Sequence, residues 1–299
     1  MSAIIEVSQL CKHYGDKQAL NNAEFSLSKG APVALVGPNG AGKTTLFSLL
    51  CGYIRPTSGD IRIFSETPGS AKLFGRLSAL PQDAQLDPRF SIASQLMFYA
   101  RLQGMSRAVA KKDTDRVLDM VGLSEVINSR PSELSHGMRK RATIAQALLG
   151  SPEIVMLDEA TAGLDPANAK DIRAIVAEHA DSTLFILSSH DLSELERLCE
   201  QVLYLNNGQL NHHQALNSAD SERFITLRMK QEYENIAQQL MTIPGLSDVS
   251  VTQDKEYLLS ISGEQGNSNV ELALLKILQD NNWSYAQLIN GKTLENQLF

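Results

Sequence analysis

The feature that most constrains the fold of this chain is a glycine-rich stretch at 37–45, which reads GPNGAGKTT. It fits the pattern G-x-x-x-x-G-K-[ST] at every fixed position. An apolar run at 32–36 precedes it and predicts a short buried strand, and the run at 46–51 predicts the start of a helix. A strand, a glycine loop and a helix in this order predict a phosphate-binding loop.

The spacing within this loop has a chemical reason. Glycine allows positive φ and a close approach of the backbone to a ligand, so several N–H groups can point at the same phosphate oxygens. The following helix adds its own N-terminal N–H groups and the positive end of its dipole. Lys43 is then placed to reach the β and γ phosphates, and the Thr44 hydroxyl to bind Mg²⁺. An ordinary glycine and proline turn before a surface lysine would not require the flanking strand and helix.

Composition excludes several function classes. The chain has 299 residues, of which 43% are hydrophobic and 20% charged, a globular composition with length for one large or two ordinary domains. Its net charge of -7 argues against nucleic acid as the main partner. The three cysteines, Cys11, Cys51 and Cys199, are far apart and form no zinc or disulfide pattern, which is typical of a reducing compartment.

Targeting signals are also missing from the sequence pattern. Residues 1–7 lack a basic region and a continuous apolar run, so no secretory leader is predicted. No apolar run approaches the roughly 18 residues that a membrane-spanning helix needs. We therefore expect a cytoplasmic protein that does any membrane work through a partner.

Strands and helices alternate around the glycine loop. Alternating residues at 4–10 and 23–27, separated by a turn at 14–16, predict a small antiparallel sheet. The pattern then becomes helical, with Ser91 and Ser106 at N-cap positions. Short strands are predicted at 59–64 and 77–80, helices at 91–102 and 106–121, and a third helix from 134 to about 149.

An apolar run at 154–157 ends in two carboxylates, Asp158 and Glu159. Such a run predicts a strand buried on both faces of a parallel sheet, and ligands bind at the carboxyl ends of such strands. A second run at 183–187 ends just before His190, and Asp165 before a proline predicts a helix start. This half of the chain therefore predicts an α/β fold with a parallel or mixed core sheet.

The last part of the chain shows no phosphate loop, metal spacing or nucleophile pattern. After a polar stretch at 218–221, interpreted as a linker, the elements follow in the order β-α-β-β-α-β of a ferredoxin-like unit. We place Leu272, Leu275 and Leu278 on one face of its second helix. The predicted strands are 224–229, 247–252, 257–262 and 283–289, and the predicted helices are 231–241 and 269–281.

Across roughly residues 1–215 the chain resembles the nucleotide-binding subunit of ATP-binding cassette (ABC) transporters. The resemblance implies a P-loop NTPase cassette at 1–217, with a helical subdomain at about 87–150. The α+β pattern at 222–299, which has no site motif of its own, then predicts an accessory or regulatory domain. Seven features carry it, in this order: Tyr14, GPNGAGKTT at 37–45, Gln82, LSHGM at 134–138, IVMLDEA at 154–160, AGLDP at 162–166 and His190.

The resemblance also implies a catalytic role for several side chains. Glu159 would act as general base on the attacking water, His190 would orient that water and bond the γ-phosphate, and Gln82 would sense the γ-phosphate. Outside this family, adjacent carboxylates are an ordinary polar strand end. Gln82 alone is a glutamine after a proline, and His190 alone is a structural histidine at a strand-to-helix corner. The implied Mg²⁺ ligands are Thr44, Gln82 and Asp158.

The nucleotide itself is ATP by the same resemblance, held by the glycine loop and by Tyr14 stacking on the base. Taken alone, Tyr14 is equally well an aromatic residue beside a turn. The implied nucleotide-binding residues of the first segment are Tyr14, Gly37, Asn39, Gly40, Ala41, Gly42, Lys43, Thr44 and Thr45.

The second half of the implied ATP site comes from another subunit. Ser135 and Gly137 precede or open a helix whose N-terminus faces the nucleotide of the opposite subunit in this family, and Asp165 contacts that subunit. Asp165 is also an ordinary N-cap, and the two roles are compatible. The active unit is therefore expected to be a head-to-tail homodimer or heterodimer around two ATP.

The segment 134–138 departs from the commonest LSGGQ pattern, because His136 replaces a glycine and Met138 the glutamine. The form S-x-G-M resembles exporter subunits of the ABC-2 type. His136 either adds a pH-sensitive donor or points to solvent.

We expect an ATPase that works on the cytoplasmic face of the inner membrane through a separate transmembrane permease, as an exporter. An importer subunit would have the same chemistry. A soluble relative acting on ribosomes or DNA would normally carry a second cassette, a long coiled coil or zinc cysteines, which this sequence lacks. For the last domain, regulation and support of the dimer remain as alternatives.

Overall fold

Two strands before the glycine loop and one strand after it form an antiparallel sheet, in the order β2-β1-β4. The computed structural model describes residues 3–161, 163–189, 195, 198–199, 201–214, 224–262, 267–293 and 296. The predicted hairpin is confirmed, but its strands run almost to the turn, and β-bulges between Val7 and His13 interrupt the alternation that the prediction relied on. The strands are β1 (Ile5–Tyr14), β2 (Lys17–Leu27) and β4 (Ser58–Ile63).

The central sheet has six strands in the order β5-β6-β7-β3-β8-β9, and all the pairs from β5 to β8 are parallel. β3, β6 and β7 are built from apolar residues buried on both faces, which confirms the predicted α/β core. The strands are β3 (Val33–Val36), β5 (Leu77–Leu80), β6 (Ile154–Asp158), β7 (Leu184–Ser188), β8 (Gln201–Asn206) and β9 (Gln209–Gln214).

Five helices of this unit are described, and serine or aspartate caps four of their N-termini, of which those at Ser91, Ser106 and Asp165 were predicted. Ser91, Ser106, Ser135 and Asp165 each accept a hydrogen bond from a backbone N–H of the first turn. The helical insertion predicted between β5 and β6 is confirmed. The helices are α1 (Lys43–Leu50), α2 (Ile92–Leu102), α3 (Arg107–Met120), α4 (His136–Ala147) and α5 (Pro166–His179).

The chain divides into two compact units, residues 1–213 and 214–299. The second unit has a four-stranded antiparallel sheet in the order β11-β12-β10-β13, the order of the predicted ferredoxin-like unit. The proposed linker at 218–221 lies outside the described residues. The elements are β10 (Phe224–Met229), α6 (Ile236–Leu240), β11 (Leu246–Gln253), β12 (Glu256–Ile261), α7 (Asn267–Asp280) and β13 (Tyr285–Asn290).

Two details predicted for this second unit are wrong. The helix predicted at 231–241 is confined to α6, because Asn235 before it has a left-handed backbone and Tyr233 packs against Trp283 instead. On α7 the buried residues are Val270, Leu274 and Leu278, whereas Leu272 is 67% exposed and Leu275 38% exposed. Only Leu278 of the predicted stripe faces the core, because the buried residues recur every fourth position.

A buried carboxylate organises the sheet of the second unit on β12. Glu256 is hydrogen-bonded by Arg228, by Thr252 at 3.0 Å and by Asn296 at 2.8 Å. Burial alone would raise the pKa of Glu256, but these hydrogen bonds lower it below its ordinary value. Asn296 is therefore joined to the sheet through Glu256.

Candidate functional site

The glycine loop joins β3 to α1, and two of its glycines are required by the backbone around them. Gly37 has φ of 152°, and a Cβ added there would lie 2.0 Å from the carbonyl oxygen of Leu205. Gly42 has φ of 113°, and its added Cβ would lie 2.5 Å from the carbonyl oxygen of Ala19. The loop thus lies directly on β8 and β2, and a larger residue at either position would push it away.

The ammonium of Lys43 lies over the loop that precedes it. It donates to the carbonyl oxygen of Gly37 at 2.6 Å and to that of Pro38 at 3.2 Å. Lys43 is the first residue of α1, and the N-cap position before it is Gly42, which has no side chain to cover the helix end. Positive charge and helix N-terminus therefore meet at one place.

A cleft of about 240 Å³ gathers most of the residues predicted to bind nucleotide. One wall comes from the β1–β2 hairpin, where the ring of Tyr14 is half exposed and lies 5.1 Å from the ammonium of Lys12. The loop forms the floor, and the ends of β5 and β6 form the far wall. The lining residues are Tyr14, Lys17, Ala19, Asn39, Gly40, Gly42, Lys43, Thr44, Thr45, Gln82, Asp158 and Glu159.

Two residues of the predicted loop lie behind the cleft. Ala41 is buried; its N–H donates to Pro38 and its carbonyl accepts from Gly208 at 3.2 Å. Gly37 rests on Leu205, as described above. Both hold the loop against the sheet and are not among the lining residues.

The two carboxylates at the end of β6 are positioned by the neighbouring strand. Asp158 pairs in register with Ser188 of β7, whose hydroxyl donates to the Asp158 carboxylate. The N–H of Glu159 donates to the same serine, to its hydroxyl oxygen at 3.2 Å and its carbonyl oxygen at 3.1 Å. Glu159 is 3% exposed and has φ of 51°, a left-handed backbone that is uncommon for glutamate. Such strain is typical of functional sites.

Ser188 is a residue that sequence reasoning missed. The position of Ser188 directly after the apolar run at 183–187 could have identified it, because the strand built from that run lies next to the strand that ends at Asp158. Parallel strands end at the same edge of a sheet, so a hydroxyl there lies beside the carboxylates.

Lys140 of α4 is a second missed residue. Burial lowers its pKa, and the negative charges of Glu159 and Asp158 oppose that shift. Lys140 also lines a second cleft, of about 390 Å³, which extends from Gln82 to α4. The chain thus supplies a positive charge near the two carboxylates from the helix that begins at His136.

Besides Gly37 and Ala41, three more predicted residues are absent from the lining of the nucleotide cleft. Ser135 caps α4 by accepting from the N–H of Met138 at 3.2 Å. Asp165 caps α5 by accepting from Ala167 at 3.1 Å and from Asn168 at 3.0 Å. Gly137 is buried in the first turn of α4. His190, the remaining predicted residue, lies outside the described residues.

The donors and acceptors of the cleft fit a magnesium–nucleoside triphosphate. The loop, Lys43 and the start of α1 supply positive potential for phosphates, and hydroxyl and carboxylate oxygens are suitable Mg²⁺ ligands. Thr44, Gln82 and Asp158 would hold Mg²⁺, which when bound neutralises phosphate charge. Within the described residues no group of three or more His, Cys, Asp or Glu forms a metal site by itself.

Comparisons with known proteins agree with this chemistry. Residues 20–162 match the family described as ABC transporter. The chain is 32% identical to the ABC transporter ATP-binding protein YxlF of Bacillus subtilis (strain 168), over 77% of this chain and 78% of the relative. It is 34% identical to the Nod factor export ATP-binding protein I of Rhizobium etli, over 69% of this chain and 66% of the relative. A solved ATP-binding subunit of an ABC transporter superposes with a TM-score of 0.63 at 27% identity, covering 71% of this chain and 90% of the other.

Proposed function

The chain belongs to the ABC transporter family of ATP-hydrolysing cassettes, and we propose that it pairs head to tail with a second cassette around two ATP and drives a separate permease for export. The partner cassette is a second copy or a close relative. The complex would place this chain on the cytoplasmic face of the membrane.

The observation that carries the pairing is the division of the predicted ATP site. The described cleft brings together the loop, Gln82, Asp158 and Glu159 within one chain, while Ser135 and Gly137 are absent from its lining. Ser135 is exposed at the start of α4, where a helix N-terminus can bind an anion. A second chain that supplies its own Ser135 would complete each site.

The residues of the cleft have distinct tasks in hydrolysis. Lys43 and the N–H groups of the loop would hold the β and γ phosphates, and the Tyr14 ring would stack on the base. Glu159 would take a proton from the attacking water as its oxygen bonds to the γ-phosphorus and the bond to the β-phosphate oxygen breaks. Ser188 would keep Asp158 and Glu159 in place for these tasks.

The partner and the direction of transport rest on other observations. No described helix is long and apolar enough to cross a membrane, so transport would need another chain. Helix α2 exposes Phe98 and Leu102, which are one turn apart and give the helical insertion an apolar surface suited to a protein partner. One relative is named for Nod factor export, which favours export.

The second unit would support or regulate the pairing. Its sheet and helices enclose an apolar core of their own. The hydrogen bonds of the buried Glu256 add polar contacts to this unit. Deleting 222–299 should leave ATP binding by the cassette intact and change dimerisation or permease-coupled hydrolysis. Unaltered dimerisation and coupled hydrolysis would count against a regulatory role.

A complementation experiment tests the composite ATP site. Lys43→Ala should inactivate the loop, and Ser135→Asp should place a negative charge where phosphate would bind while keeping a good N-cap. Each variant alone should hydrolyse ATP poorly. An equal mixture should recover up to about a quarter of the wild-type rate, because half of the dimers are mixed and each mixed dimer keeps one intact site.

The controls separate pairing from other effects. Ser135→Asn keeps the cap without the added charge, so a Ser135→Asn chain mixed with Lys43→Ala reports the effect of the charge itself. A mixture whose rate equals the mean of its two components would reject the head-to-tail site.

The direction of transport needs the permease. Co-expression of the chain with a candidate permease, followed by co-purification, tests the partner. ATP-dependent loss of substrate from loaded inverted vesicles would indicate import, whereas ATP-dependent accumulation in them would indicate export.

A further inference from the structure

The glycine of the segment 134–138 packs against a side chain of its own subunit. A Cβ added at Gly137 would lie 2.3 Å from both Cγ and Oδ1 of Asn168 and 2.6 Å from its Nδ2. These distances are far shorter than any normal contact, so the Asn168 amide occupies the space that a side chain at 137 would need. Asn168 belongs to the first turn of α5. This helix follows residues 163–165, which we call the Asp165 turn.

The same amide is fixed on its other side. Its Nδ2 donates to the Asp165 carboxylate at 2.6 Å, while the backbone N–H of Asn168 donates to the other oxygen of that carboxylate at 3.0 Å. These two hydrogen bonds from Asn168, with one from Ala167, lower the pKa of Asp165 below its ordinary value. Asn168 is therefore held between the Asp165 carboxylate and the backbone of α4.

A second contact joins the same two segments. A Cβ added at Gly163 would lie 3.9 Å from Nε2 of His136, so the imidazole ring lies beside the turn that leads to Asp165. His136 and Gly137 are the first two residues of α4. The start of α4 and the Asp165 turn thus pack together at Asn168, and they also lie close to each other at His136 and Gly163.

We propose that Asn168 is a positioning residue that locks the start of α4 to the Asp165 turn, so that Ser135 and Asp165 are presented to the opposite subunit as one preformed surface. This inference rests on the proposed function, because it concerns how the second half of the composite ATP site is assembled. It assigns Asn168 no contact with ATP. It also gives Gly137 a role inside its own chain, which is to leave room for the amide.

The packing predicts an unusual dependence between two substitutions. Alanine favours a helix more than glycine does, so Gly137→Ala would by itself stabilise α4. In this chain it must displace the Asn168 amide and break its hydrogen bond to Asp165. Gly137→Ala should therefore lower the melting temperature of the wild-type chain. In an Asn168→Ala chain the same change should have no effect or raise the melting temperature.

Function should follow the same pattern. Asn168→Ala should leave ATP affinity of the isolated chain within about twofold of wild type. It should raise the chain concentration needed for half-maximal ATPase by about 2- to 10-fold, the worth of one hydrogen bond. Asn168→Asp keeps the shape over Gly137 but faces Asp165 with a second carboxylate, so it should weaken pairing at least as much. Lys170→Ala, at an exposed position of the same helix, is the matched control and should behave as wild type.

Three measurements decide the matter: melting temperature of the full chain, ATP affinity of single chains, and ATP-driven pairing in a Glu159→Gln background. Equal damage by Gly137→Ala with and without Asn168 would overturn the proposal, as would wild-type pairing of both Asn168 variants. If the wild-type chain itself neither hydrolyses ATP nor pairs, the proposed function fails. The melting temperatures of the 137 and 168 variants would still report whether the contact exists.

Discussion

Two helix N-termini in the first unit are predicted to bind phosphate, and they are built differently. At α1 the N-cap is Gly42, so no side chain covers the helix end, and Lys43 adds positive charge. At α4 the N-cap is Ser135, whose hydroxyl already accepts from the N–H of Met138. The first end is open within its own chain, whereas the second is capped and packed against a neighbouring turn.

The glycines show the same difference. Gly42 lets the loop approach the backbone of Ala19, which shapes the cleft. Gly137 lets Asn168 approach α4, which joins two segments that lie outside the cleft. One motif glycine therefore serves the binding surface directly, and the other serves the packing behind a surface that is proposed to act on a second chain.

The largest effect, on the rate of ATP hydrolysis, should come from a change at Glu159 that leaves both helix N-termini intact. Glu159→Gln removes the proposed base but keeps the size and position of the side chain, so ATP hydrolysis should fall by about 10²- to 10⁴-fold. ATP binding and ATP-driven pairing should persist, because both helix ends are intact. Steady-state ATPase and light scattering measure the two quantities. Glu125→Gln, at an exposed glutamate of the helical insertion, is the control. Near-wild-type turnover would remove Glu159 from the role of base.

The next effect sharpens the contrast at α1. Lys43→Ala should weaken ATP binding by roughly 10- to 150-fold, because a hydrogen bond to a charged group is worth about 1.5 to 3 kcal/mol. Titration of single chains with a fluorescent ATP analogue measures it, with Lys112→Ala of α3 as the exposed control. The variant should still offer Ser135 to a wild-type chain. Unchanged affinity would contradict the phosphate-loop interpretation of α1.

The corresponding change at α4 should spare single-chain binding. Ser135→Asp keeps the cap and adds a negative charge, so pairing in a Glu159→Gln background should weaken by about 3- to 30-fold. ATP affinity of the isolated chain should stay the same. Ser135→Asn should lie closer to wild type. A loss of single-chain affinity equal to that of Lys43→Ala would mean that both helix ends act in one chain, which would end the comparison.

Much of this architecture is predictable because local patterns and tertiary packing agree. The runs at 154–157 and 183–187 are apolar because their strands are buried on both faces, and each serine or aspartate before a helix became its N-cap. The loop at 37–45 is equally predictable, because Gly37 and Gly42 lie so close to backbone carbonyl oxygens that a side chain would not fit.

What the sequence could not show depends on contacts between distant segments. Asn168 is an ordinary polar residue of an amphipathic helix until Gly137 is placed against it. The role of Ser188 follows only from the register of β6 and β7, which places Ser188 beside Asp158. The stripe chosen on α7 was wrong for a related reason: leucine spacing alone fits more than one helix face, and the sheet selected the face of Val270 and Leu274.

The smallest expected effect concerns the negative charge of Asp165, which accepts the hydrogen bond of the Asn168 amide beside α4. The folded chain keeps the pKa of Asp165 below its ordinary 3.8, so the carboxylate contributes stability above that value and loses it as pH falls through the lower folded pKa. Asp165→Asn keeps a good N-cap but no charge. The urea midpoint of wild type should exceed that of the variant near about pH 6, and the difference should shrink towards about pH 3. Asp115→Asn, at an exposed position of α3, is the control for general acid effects. A difference that stays constant with pH would mean that Asp165 acts through its shape alone, and the hydrogen bond to Asn168 would then need no charge to hold α4 in place.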